Sequence, residues 1–306
     1  MKANYMVGII SYMPETDRGK QRIPIHEIQL RWLEELATKV RDEFDVYRVE
    51  SAWGPTANAK LTSSLNIKPI VESQHTCAVN RNFLLEIFYN SDYDWLFLLD
   101  DDRVFYDHYR YQDWFDDLST PAVMNLCKSG YMISCILPMY EPFKKVNYEW
   151  ENRETHWYIS KDPIHGSLQS VFIPNIKKYL GKEIYFDKNT AAQLDEPPED
   201  TMFQLDWIKA GGRCIRNRFL IGKEVGQSSG EKSLIYDNLE ERRKIEEGHS
   251  AWFERYLKEL YPRNPRCWTR RGFLSQYNPE VRLSIPRTNH YVFGESDLPR
   301  GVANKK

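Results

Sequence analysis

Asp92-Tyr93-Asp94-Trp95-Leu96-Phe97-Leu98-Leu99-Asp100-Asp101-Asp102 runs five apolar residues, Trp95 to Leu99, straight into three carboxylates. An apolar run this short, bounded by polar residues, reads as a strand buried on both faces. Three adjacent carboxylates repel one another unless something positive sits among them. A hard divalent cation, Mg2+ or Mn2+, is the neutraliser that suits oxygen ligands and phosphates. Strand alternation places Asp100 and Asp102 on one side and Asp101 on the other. The result is an Asp-x-Asp pair at the carboxyl end of a strand, where open α/β sheets bind their ligands. The competing reading is a solvated acidic turn.

The flanking sequence alternates. Residues 5–11 read as a strand, and Ser11-Tyr12-Met13-Pro14 leave it as a loop. Ile25 to Phe44 carries Ile28, Trp32, Leu33, Leu36 and Val40 at helical spacing. Val46 to Val49 is a second strand, and Thr76 can cap a helix with Val79, Phe83, Leu84, Ile87 and Phe88 on its apolar face. Strand, helix, strand, helix, strand implies right-handed crossovers and a mostly parallel, Rossmann-like sheet flanked by helices. Beyond it, 131–138 and 170–173 read as strands and 141–163 as a long loop or antiparallel excursion. Pro197-Pro198-Glu199-Asp200 open a helix that Gly211-Gly212 stop. Cys214 to Ile221 is a further strand, 222–233 suits a mobile loop, and Leu239 to Leu260 is a charged amphipathic helix. No internal repeat is visible.

Composition narrows the class. At 306 residues the chain can bury a large core, and a formal net charge of −2 creates no global basic field. The 9 Trp, 19 Tyr and 14 Phe exclude a disordered chain. Five scattered cysteines without C-x-x-C spacing argue for a reducing compartment and against a disulfide framework or structural zinc. The start of the chain lacks the basic flank of a signal peptide, and no segment approaches the roughly 18 apolar residues of a membrane span. These features predict a cytoplasmic protein with no membrane partner.

Three segments, in order, carry a family resemblance. The first is Val7 to Pro14, a strand entering a loop. The second is Cys77-Ala78-Val79-Asn80-Arg81-Asn82-Phe83-Leu84, with the Asp100-Asp101-Asp102 strand end behind it. The third is Glu199-Asp200-Thr201-Met202-Phe203 followed by Ala210-Gly211-Gly212. Together they resemble GT-A-fold glycosyltransferases of the broad family-2 type over roughly residues 5–225. The resemblance implies a GT-A catalytic domain over 1–230, with a nucleotide-sugar half (1–105) and an acceptor half (106–230). A C-terminal helix and basic aromatic extension would occupy 231–306.

The resemblance also implies roles. Ser11, Tyr12 and Pro14 begin the nucleotide pocket, and Arg81, Asn82, Asp100 and Asp101 join it. A UDP-sugar donor leaves charge on a diphosphate as its bond to the sugar breaks, and bound Mn2+ or Mg2+ stabilises that charge. Asp102 is the first candidate metal ligand, and Asp100 contacts metal or ribose. A third ligand would come from a histidine, His249 or His165. The acceptor hydroxyl must lose a proton, so Asp200 or Glu199 is the general base if the enzyme inverts. The plainer account of Glu199 and Asp200 is two acids favoured by the dipole of a helix's first turn. For Arg81 the plainer account is a surface arginine paired along its helix with Glu86, one residue out of register.

Residues 263–287 hold Arg263, Arg266, Arg270, Arg271, Arg282 and Arg287 against the single acid Glu280, with Trp268, Phe273 and Tyr277 interleaved. Spaced arginines and aromatics suit phosphate contact plus base stacking, with Arg266, Trp268, Arg270 and Arg271 as candidate nucleic-acid residues. The plainer reading is a tail paired with the acidic body. Resemblance points to bacteriophage enzymes that add sugars to hydroxymethylated pyrimidines in DNA, which would place the protein in host cytoplasm. Hydroxymethylcytosine is the leading acceptor, with arabinose or a hexose as the sugar. The alternatives are a polysaccharide or protein glycosyltransferase of the same fold and a non-catalytic nucleic-acid-binding protein. Oligomeric state is not readable from the sequence.

Overall fold

The computed structural model describes residues 3–11, 26–35, 37, 45–51, 65–72, 77–101, 103–107, 121–136, 155–158, 170–187, 199–224, 239–268 and 282–285. The strands are β1 (Tyr5–Ser11), β2 (Asp45–Ser51), β3 (Ile67–Glu72), β4 (Trp95–Asp100) and β5 (Arg103–Asp107). They continue as β6 (Tyr131–Ile136), β7 (Thr155–Tyr158), β8 (Ser170–Pro174), β9 (Arg213–Glu224) and β10 (Arg282–Ile285). The helices are α1 (residues 26–35), α2 (Cys77–Tyr89), α3 (Pro121–Lys128), α4 (Ile176–Leu180), α5 (Glu199–Lys209) and α6 (Leu239–Leu260).

All ten described strands join one sheet, in the order β10-β7-β9-β6-β8-β4-β1-β2-β3, with β5 paired to β9. The expected parallel arrangement holds for β3-β2-β1-β4. On the other side of β4 the sheet becomes mixed: β8 lies antiparallel to both β4 and β6, whereas β6 and β9 are parallel. The excursion around 141–163 contributes β7, antiparallel to β9 and β10. The C-terminal extension therefore adds an edge strand to the same sheet. Of the segment expected to be a mobile loop, 222–224 continue β9, and 225–233 lie outside the described residues.

The apolar run of β4 shows why the sheet is covered on both faces. Trp95, Phe97 and Leu99 face one core with Val7 and Ile9 of β1, Leu30 and Leu33 of α1, and Val123 and Leu126 of α3. Leu96 and Leu98 face the other, with Met6, with Leu84, Leu85 and Phe88 of α2, and with Phe203 and Trp207 of α5. Fully burying each of these large side chains is worth about 1.5–3 kcal/mol. Stacked ring pairs tie distant segments: Phe97 on Phe172 at 4.2 Å and Phe186 on Phe203 at 4.0 Å between centroids. Gly8 lets α2 settle onto β1, since a Cβ there would lie 2.9 Å from Leu96 Cδ1 and 3.1 Å from Leu84 Cδ1.

A polar hub fixes the entrance to β4. Asp94 accepts from the Asn4 backbone N–H at 2.9 Å and from Lys178 Nζ at 2.8 Å, and also from the Tyr179 hydroxyl. Burial pushes its carboxyl up, but these donors outweigh burial and hold it below the usual range. The Asn175 side-chain amide donates to the carbonyls of Phe88 and Tyr93 and accepts from Lys178 N–H, capping α4 while it locks the α2–β4 turn. Helix α6 packs Phe253 and Leu257 against Leu205 and Ile208 of α5. No described helix is long and apolar enough to cross a membrane.

Candidate active site

The alternation of β4 continues into the carboxylates. Asp100, in phase with Leu96 and Leu98, lies on the α2–α5 side of the sheet, where Arg81 Nη2 reaches its Oδ1 at 3.3 Å. Asp101 is only 2% exposed and lies beside His26 of α1, on the opposite side. Asp102 is outside the described residues.

Arg81 is the centre of the site. It projects from the second turn of α2, and its side chain is 6% exposed. Its Nη1 donates to Glu199 Oε1 at 2.6 Å and to Asp200 Oδ1 at 2.7 Å, while Nη2 takes Asp100. One guanidinium thus gathers three carboxylates from two different elements. Its own charge is reinforced, since the three acids outweigh the cost of its burial. The helix-pair account with Glu86 does not apply to a buried arginine so engaged. The Phe186 ring, 5.3 Å from the guanidinium carbon, covers one face of it.

Glu199 and Asp200 are the first two residues of α5, where the helix dipole favours acids. Glu199 is pushed up to about 7, first by burial and then by the nearby Asp200 and Asp100, against the pull of Arg81. Three carboxylates against one arginine leave an excess of negative charge. Oxygen donors of this kind suit a hard divalent cation in general. Among the described residues, however, no cluster of three or more His, Cys, Asp or Glu is placed to hold a metal. Asp100 is the described member of the Asp-x-Asp pair.

The other predicted residues fall differently. Asn82 uses both ends of its amide on one residue: Nδ2 donates to Phe186 O at 2.8 Å, and Oδ1 accepts from Phe186 N–H at 2.7 Å. It therefore clamps the 184–186 segment that carries the cover over Arg81. Ser11 ends β1 beside the site, with only its backbone described. His249 lies within α6, again described only in its backbone. Tyr12, Pro14, His165, Arg270 and Arg271 fall outside the described residues. Arg266 is exposed on a short 3-10 turn, Pro265–Cys267. Trp268 is engaged locally, its Nε1 donating to Tyr261 O at 2.9 Å and Lys258 standing 6.0 Å from its ring.

Sequence reading missed the scaffold behind the carboxylates. Gln29 Nε2 donates to the Asp100 carbonyl at 2.6 Å. Its Oε1 lies 3.1 Å from His26 Nδ1, and His26 Nε2 lies 3.3 Å from Arg48 Nη1. His26 is buried, and burial above all pushes it down to about 4. A neutral imidazole that donates to Gln29 and accepts from Arg48 completes the chain. The readable signal was His26-x-x-Gln29 in the first turn of a helix, on a face otherwise apolar.

No family model and no curated protein matches the chain. Solved structures do. A mannosyltransferase from Pyrobaculum calidifontis, solved with GDP-Man and Mn2+, is 15% identical, with a TM-score of 0.50 over 90% of this chain and 70% of that one. The A197 protein from STIV is 15% identical (TM-score 0.34, 72% and 84% covered). An active-site mutant of LgtC is 11% identical (TM-score 0.35, 66% and 63% covered). At these identities the first likeness speaks for the fold: a GT-A-like α/β architecture.

Proposed function

We propose that this protein is a divalent-metal-dependent glycosyltransferase that moves a sugar from a nucleotide-sugar to an acceptor hydroxyl. The observation that carries the reading is the meeting of Asp100, Arg81, Glu199 and Asp200 at the carboxyl end of β4. This is the edge of an α/β sheet where ligands bind. The fold shared with a mannosyltransferase that holds GDP-Man and Mn2+ supports the same chemistry.

Asp100 and Asp102 would hold the metal, with His249 as third ligand, and the metal would supply charge stabilisation to the departing diphosphate. Ser11, Tyr12 and Pro14 would line the nucleotide pocket. Gln29 fixes the Asp100 backbone, so the carboxylate meets its ligand without reorganising. Asp200 is the most open of the three acids, at 27% side-chain exposure, and it would accept the proton of the acceptor hydroxyl. Arg81 orients its carboxylate for that task. Glu199, at 19%, sits deeper beside it and shares the same guanidinium.

For donor and acceptor we propose a UDP-sugar, pentosyl or hexosyl, and 5-hydroxymethylcytosine in phage DNA. That finer reading is supported by the arginine–aromatic spacing of 263–287. The test is a panel of UDP- and GDP-sugars with Mn2+, offered hydroxymethylated DNA, unmodified DNA and glycan acceptors, with products read by mass spectrometry. Metal-dependent transfer that Asp102→Asn abolishes is the expected result. Transfer to glycan alone would replace the DNA acceptor. Absence of any transfer or donor hydrolysis with every metal would remove the enzyme reading.

A further inference from the structure

Two buried polar atoms beside the site are left without a partner among the described residues. Asn80 is 4% exposed, and among the described residues its Oδ1 has no hydrogen-bond partner. The next residue repeats the pattern: Arg81 Nε is also buried and unpartnered, although both Nη atoms are engaged. A buried polar atom without a partner is costly, so such atoms call for an explanation. Here a donor and an acceptor stand unfilled on consecutive residues.

Their position in the fold points to a ligand. Leu84, one turn after Asn80 on the same line of α2, rests over Gly8 of β1. A turn rises about 5.4 Å and a strand residue about 3.3 Å, so Asn80 stands roughly one to two residues further along β1. That is the level of Ile10, which is in register with Asp100. Asn80 thus lies at the strand-end edge that carries the carboxylates, on the β1 side. Asn82, two residues on, satisfies both ends of its amide internally. The contrast separates an asparagine that serves the fold from one that does not.

We propose that Asn80 is a nucleoside-recognition residue, its Oδ1 accepting a hydrogen bond from the base imide N–H or a ribose hydroxyl of the donor. An unfilled buried acceptor matches the imide N–H of a nucleobase or a ribose hydroxyl. The inference rests on the nucleotide-sugar reading of the site and assigns the nucleoside end of that ligand.

Two variants test it, Asn80→Leu, which keeps the size, and Asn80→Ala, which leaves room. Binding of UDP, GDP and inorganic pyrophosphate, each with Mn2+, is measured by calorimetry, and melting is followed without ligand. Both variants should weaken the better-bound nucleotide about tenfold, as for one lost hydrogen bond to a desolvated group. Pyrophosphate should bind unchanged. Melting of the ligand-free Asn80→Leu protein should stay level or rise, because an unpaired buried oxygen has been removed. Unchanged nucleotide affinity, an equal loss for pyrophosphate, or a melting drop that tracks the binding loss would each overturn the assignment. If the wild type binds no nucleotide, the donor reading falls as well, which separates the two failures.

Discussion

A single guanidinium holding three carboxylates is an arrangement that pH can probe. Because the Glu199 pKa is raised from 4.5 to about 7, the folded state binds more protons there than the unfolded state between those values. This group's contribution to stability therefore falls as pH rises through that window, by at most about 1.4 kcal/mol per pH unit. Glu199→Gln should flatten the dependence of the melting temperature between pH 5 and 7. A wild-type slope retained in the variant would refute the assignment. Asp200→Asn, by contrast, should cost about 10²-fold in turnover with donor affinity little changed, as for loss of a general base. Full turnover in that variant would leave Asp200 a helix-dipole acid only. Each of these residue types was legible alone: an acid triplet at a strand end, a Glu-Asp pair at a helix start, an arginine on a helix. Their union was not, because Arg81 and Glu199 are 118 residues apart and no local pattern encodes the pairing. Gln29 was harder to read for the converse reason: its amide is spent on a backbone carbonyl, so its mark in sequence is a polar residue beside His26 on an otherwise apolar helix face.

The elements show the same division. Helix α5 was legible at both ends, from its acids and from Gly211-Gly212. Gly211 makes the stop with a left-handed φ of 96°, and Gly212 has a steric reason of its own: Trp207 Nε1 donates to the Gly130 carbonyl at 2.7 Å, and a Cβ on Gly212 would collide with that nitrogen. Gly212→Ala should therefore destabilise by about 1–3 kcal/mol, as forced overpacking does, seen as a lower urea midpoint. An unchanged midpoint would mean that the indole can move aside at no cost. Elements that escaped sequence reading are short or lack periodic apolar residues: α4 has five residues, and β5 begins directly after the carboxylates. β10 is four residues set in a basic, Pro-rich stretch, so composition masked it. Only pairing with β7 makes it a strand.

Across the whole molecule, the parallel half of the sheet was legible because each strand there alternates with a helix, whereas the mixed half depends on long-range pairings that no spacing announces. If the carboxyl ends of the strands form a metal–nucleotide site, the preferred donor nucleotide with Mn2+ at about 100 times its Kd should stabilise the fold by roughly 2.7 kcal/mol. Melting should rise a few degrees with both ligands together and much less with the nucleotide alone. Equal shifts with and without the metal would argue against a bridging cation. The register of β1 has a further consequence, in time. Met6 is in register with Asp45 on one side and Leu96 on the other, so β1 waits for partners from much later in the chain. At roughly 5–20 residues per second, a ribosome delivers the second partner about 5–20 s after β1. Until then the apolar stretch Met6–Ile10 can pair on one edge at most, with β2. An interior strand of the sheet is thus completed late, with apolar surface exposed to aggregation in the meantime.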